Sequence, residues 1–113
     1  MKRVEALIRA EKLTDVKLAL LEKGYGGMTI HEVKGKGHAA GVVRQWKGRE
    51  YVEEFLPRMC IEVVVGDDQW HDVVETIMGV ARTGDTGDGK IFVSPVEYVV
   101  RIRTGETNER ALE

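Results

Sequence analysis

Apolar and polar residues alternate from Val4 to Arg9, with Val4, Ala6 and Ile8 on one side and Glu5, Leu7 and Arg9 on the other. That period of two predicts a strand with one face on a core. Thr14-Asp15 then offers an N-cap and an acidic first turn for a helix. Leu13, Val16, Leu20 and Leu21 follow at helical spacing, and Gly24 is the expected stop. The run from Met28 to Lys34 is rich in β-branched residues and predicts a second strand. Met59 to Val65 predicts a third, with Ile61, Val63 and Val65 on one face. Asp67-Asp68 is the expected cap of a second helix, in which Trp70, Val73, Val74, Ile77, Met78 and Ala81 form one apolar stripe. Ile91 to Val96 predicts a fourth strand and Val99 to Arg103 a short final one. The polar tail, residues 104–113, is expected to be mobile unless a neighbour holds it.

The order β-α-β-β-α-β, with both helices on one face of an antiparallel sheet, predicts an α+β ferredoxin-like sandwich in a single domain over residues 1–113. The other sheet face is then uncovered. Leu7, Cys60, Val64 and Met28 are assigned to it, and they are too apolar for water. Burial against copies of the same chain is the economical solution, so a homo-oligomer is expected.

Composition narrows the function. Lysine plus arginine number 17 and aspartate plus glutamate 19, for a net charge of −2. That balance supplies no field for direct nucleic-acid binding. Cys60 is the only cysteine, which excludes an internal disulfide and a cysteine-cluster metal site. His31, His38 and His71 are scattered without metal-ligand spacing, so no metal site is expected. No apolar run approaches the roughly 20 residues of a membrane span. The first residues lead into strand-like sequence without a signal-peptide pattern, and a cytoplasmic protein is expected.

Three segments carry candidate chemistry. The first joins the second and third strands over residues 37–55, where hairpin connections ordinarily take two to five residues. It holds Trp46, Lys47, Arg49 and Tyr51, the aromatic and basic mixture of interface anchors. A partner-binding loop is the expectation, with an extended β-hairpin arm locked into a dimer as the structural alternative. The second is the glycine-rich stretch 82–90. Gly84 to Lys90 fits G-x-x-x-x-G-K, but Ile91 stands at the magnesium-binding Ser/Thr position and the flanking elements are in the wrong order for a Walker loop. Its glycines and Lys90 still suit an anion. An ordinary helix-to-strand turn explains them equally well. The third is Arg101-Ile102-Arg103, expected as alternate strand positions that either clamp phosphate or form a solvated edge. No nucleophile-base order or acid–base pair emerges.

Together these segments resemble the PII nitrogen-regulatory signal-transduction proteins, over nearly the whole chain. The resemblance rests on Gly27-Met28-Thr29-Ile30 with Glu32 to Gly35 and Gly37, on Glu50-Tyr51 to Pro57 leading into Ile61 to Val65, and on Ala81 to Gly84, Gly87 to Val93, Pro95 to Glu97 and Val100 to Glu106. It implies a homotrimer with nucleotide clefts between subunits and ATP or ADP as effectors. By position it implies that Leu7, Thr29, Glu62 and Val64 surround the adenosine. Gly35, Gly37 and His38 approach the phosphates from the loop base. Gly87, Asp88, Gly89 and Lys90 cradle them, and Arg101 and Arg103 clamp them from the neighbour.

The chain departs from the family pattern at the loop base. Ala39 and Ala40 stand where 2-oxoglutarate sensors carry glutamine and lysine, and an alanine methyl cannot ligate a hard cation. Arg58 replaces the lysine that contacts the 2-oxoacid, His38 an arginine, and Lys47 the loop-tip arginine. Tyr51 stands where some members are nucleotidylylated. These departures leave Mg2+ open and count against 2-oxoglutarate. The expected function is a non-enzymatic regulator of nitrogen metabolism, acting on enzymes, a regulator or an ammonium transporter through residues 37–55. The alternatives are a relative sensing AMP or another small anion for a different pathway, and a slow nucleotide phosphohydrolase.

Overall fold

Strand β1, Lys2–Ile8, buries Val4, Ala6 and Ile8 and leaves Arg3 exposed, as its alternation dictates. In this computed structural model, which describes residues 1–35, 42–53 and 56–112, β1 is an inner strand of a four-stranded antiparallel sheet. The other strands of that sheet are β2, Thr29–Gly35, β5, Leu56–Val65, and β6, Lys90–Pro95. Their order is β2-β5-β1-β6. Helix α1, Leu13–Glu22, connects β1 to β2, and α2, Trp70–Ala81, connects β5 to β6. Each connection passes over one intervening strand, so two split βαβ units interleave, as the ferredoxin-like reading requires.

The core lies between the sheet and the helices. Ala6 stands opposite both Ile61 and Ile91, and Val4 opposite Val63 and Val93. Val16 and Leu20 of α1 and Val73, Ile77 and Ala81 of α2 close over these rows. The α2 stripe is thus borne out except at its edge, where Met78 is exposed. A polar clasp joins the helices. The Asp72 carboxylate accepts from Lys23 Nζ and from the Tyr25 hydroxyl, each at 2.8 Å. Burial and this bond raise the Tyr25 hydroxyl above its ordinary pKa, while Lys23 and Tyr25 lower that of Asp72.

Several expectations are corrected. A 3-10 turn at Ala10–Lys12 runs straight into α1, whose N-cap is Lys12 rather than Thr14. Gly24 ends that helix at φ +89°, as expected. The N-cap of α2 is Gln69, while Asp67 instead pairs with the N-terminal ammonium at 2.7 Å. Met28 packs against the helix-covered core and does not belong to the open face. Residues 99–103 form no strand. Only Val100 makes an isolated bridge, to Thr107, and the chain turns at 102–104. Beyond this turn, Asn108–Leu112 forms a 3-10 helix.

The connection over 37–55 carries its own secondary structure. Strands β3, Val42–Trp46, and β4, Arg49–Glu53, form a separate two-stranded sheet. The described residues of this connection therefore form a hairpin. The tip residues Lys47 and Gly48 have φ of 50° and 76°, which is the pattern of a type I′ turn matched to strand twist.

Candidate functional site

β6 starts where the glycine-rich loop ends, and Gly89 decides how closely the two approach β1. Its φ is +102°, and a Cβ there would overlap the Leu7 carbonyl oxygen and lie 2.8 Å from the carbonyl carbon. Only glycine lets the loop cross at this height. Gly84 and Gly87 also take positive φ, 94° and 102°. Asp88 organises what lies between. Its carboxylate accepts the Thr83 and Gly84 backbone N–H groups at 2.9 Å each, and also the Thr83 hydroxyl. Arg9 donates from Nε to Asp88 at 3.1 Å and from Nη2 to the Thr86 carbonyl at 2.9 Å. The Thr83 hydroxyl, followed by the Thr83 and Gly84 N–H groups and Arg9, holds the Asp88 carboxyl well below the usual carboxylate range. The side chain expected to help cradle phosphate is thus directed into the loop.

The result is a fixed position for Lys90, directly opposite Leu7 across the β1–β6 ladder. Leu7 is opposite Cys60 on the other side, and Cys60 is opposite His31. These four residues make one row across the open face. The next row is Thr29, Glu62, Glu5 and Phe92, and Val64 with Arg3 begins a third. Leu7, Thr29, Glu62, Val64 and Lys90 therefore share one sheet face, away from the helices. A cavity of about 390 Å³ opens between α2 and β6, among Trp70, Val74, Met78 and Ile91, and reaches Leu7, Gly89 and Lys90.

The remaining expected residues are more dispersed. Gly35 closes β2 opposite Leu56. Gly37 and His38 lie outside the described residues, as do Ala39 and Ala40. Arg101 and Arg103 occupy a turn and not alternate strand positions, because Gly105 N–H bonds the Arg101 carbonyl at 2.8 Å. Arg101 pairs with Glu106 at 2.9 Å and reaches the Ala111 carbonyl, whereas Arg103 is exposed. Arg58 sits opposite Val33, at the loop end of the sheet. On the hairpin, Trp46 and Tyr51 are 67% and 44% exposed, and Lys47 Nζ stands 5.5 Å from the Trp46 ring centroid. Arg49 and Tyr51 face Trp46 and Arg44 across the ladder.

The nitrogen regulatory protein P-II family model matches residues 1–106. The chain belongs to the P-II family. It is 53% identical over 112 residues to the nitrogen regulatory protein P-II of Nostoc punctiforme, covering 99% of this chain and all of that one. It is 54% identical to the protein of the same name from Microchaete diplosiphon, with the same coverage. Nitrogen regulatory protein P-II 2 of Methanothermobacter thermautotrophicus is 51% identical, over 99% of this chain and 97% of that one.

Within this P-II fold, sequence reasoning missed Arg9 and Thr83, which pin the glycine loop. An arginine at the end of a strand gave no signal of a partner so far along the chain. It also missed a convergence on the open face. His31, Cys60 and Glu62 bring their ligand-type atoms within 4.8 Å of one another, although the histidines are scattered in sequence. Strand pairing, not spacing, creates that set. Burial, the Glu5 and Glu62 charges, and a contact with Glu5 push the Cys60 thiol up to about 11. Among the described residues no helix is long and apolar enough to cross a membrane.

Proposed function

We propose that this P-II protein is a non-enzymatic regulator of nitrogen metabolism that binds ATP or ADP between the subunits of a homotrimer. It reports the bound state to partner proteins, among them enzymes or an ammonium transporter, through residues 37–55. The observation that carries the reading is the placement of Lys90. A glycine loop pinned by Asp88 and Arg9 sets this cation beside Leu7, on the sheet face that also bears Thr29, Glu62 and Val64. An apolar and polar platform next to a lysine whose backbone position is set by the β1–β6 ladder suits a base-and-phosphate ligand. Arg101 and Arg103, in their turn, supply the clamp from a neighbouring copy. A nucleotide shifts the hairpin arm only through its differential affinity for the arm's states.

Calorimetry tests this. ATP and ADP should bind saturably without turnover, and Lys90→Ala and Arg103→Ala should each cost about 1.5–3 kcal/mol, the worth of a charge-assisted contact. Unchanged titrations for both variants would remove the site. Saturating 2-oxoglutarate, added with Mg2+, should tighten ATP by less than about tenfold, because the Ala39 side chain offers no ligand oxygen.

A further inference from the structure

The geometry points to a zinc-type metal site on the open face of the sheet, with His31, Cys60 and Glu62 as ligands and Glu5 as the completing oxygen donor. His31 and Cys60 are directly opposite on β2 and β5, and Glu62 follows two residues along β5 on the same face. Their donor atoms lie within 4.8 Å of one another. Glu5 stands opposite Glu62 on β1, and its Oε1 is 3.8 Å from Cys60 Sγ. Two adjacent strands thus bring an imidazole, a thiol and a carboxylate together, and Glu5 on the third strand reaches the thiol.

The donor set selects the metal. Zinc accepts nitrogen, sulfur and oxygen in a tetrahedron at about 2.0–2.3 Å. Mg2+ and Ca2+ favour oxygen alone. Closing the cluster to zinc distances asks for rotations of His31, which is exposed, and Glu62, which is half-buried. On binding, a bond forms between Cys60 Sγ and the metal, and the thiol proton leaves to solvent. No electron is transferred.

The proposed ligands all belong to one chain. Because Glu62 is also a proposed nucleotide contact, the experiment is run on tag-free, nucleotide-free protein of full length. Zn2+ and Co2+ are titrated by calorimetry and absorption, with Mg2+ as comparison. One ion per chain should bind. Co2+ should show tetrahedral d–d bands and a near-ultraviolet thiolate-to-cobalt charge-transfer band, and Mg2+ should not compete. Cys60→Ser should abolish the charge-transfer band. His31→Ala, at an exposed position that leaves the core intact, should weaken Zn2+ at least about tenfold with an unchanged circular dichroism spectrum. Octahedral cobalt bands without charge transfer would overturn the assignment. So would His31→Ala protein that binds Zn2+ as tightly as the parent.

Discussion

Gly89 and Asp88 show how one loop is fixed by two opposite devices, an absence of side chain and a fully engaged one. Gly89→Ala places a methyl group against the Leu7 carbonyl at φ +102°. Strain of this kind costs on the order of 1–3 kcal/mol, so thermal denaturation of this variant should show a clear loss of stability. Asp88 acts by charge. Its folded pKa is lowered by Thr83, Gly84 and Arg9, so its contribution is complete above the unfolded value, near 3.9. It is lost as pH falls through the lower folded value. An NMR titration should find the Asp88 carboxyl midpoint below that of exposed aspartates. Asp88→Asn should flatten the acid limb of the stability curve and speed amide exchange at Thr83 and Gly84. An ordinary midpoint would show that the loop is not held by this carboxylate.

At the scale of elements, the hairpin arm offers the sharpest test. Its tip places Lys47 at φ 50°, where an L-residue with a long side chain is less favoured than asparagine. Lys47→Asn creates the preferred Asn-Gly turn and should slow amide exchange across β3 and β4, a gain of at most about 1 kcal/mol. Unchanged exchange would show that the turn does not limit the arm. The two helices and four main strands were legible because each has a clean period against one core. The Val99–Arg103 strand was not. Its β-branched residues suit a strand, but the Gly105–Arg101 and Arg101–Glu106 bonds draw the chain into a turn, leaving Ile102 98% exposed. Helix starts were misread for a related reason. Thr14 was available as a cap, yet a 3-10 turn had already begun the helical path at Ala10. Of the site, the glycine loop and Lys90 were legible as a local motif. Arg9, Thr83 and the His31–Cys60–Glu62 set depend on which strands pair, which local spacing does not encode.

For the molecule as a whole, the open sheet face is the unresolved demand of the single chain. Phe92 is half exposed there beside Glu5, and Leu7 and Val64 are only partly covered. Such a face favours self-association. Light scattering should therefore return three times the 12.7 kDa chain mass, and a stable monomer at working concentration would sink the shared cleft. The radius of gyration, 16.8 Å, exceeds the roughly 13 Å of a compact domain of this length, in keeping with an arm whose described strands pair with each other. The way Gly89 crosses Leu7 also governs how a saturation scan of the whole chain would read. Position 89 would reject every substitution even in a screen for abundance alone, since the clash is with main chain that no second-site replacement removes. Lys90, exposed and bound to nothing so rigid, would tolerate most replacements in that screen and reject them only where ligand is scored. The difference between the two maps separates what the fold requires from what the nucleotide requires, one residue apart.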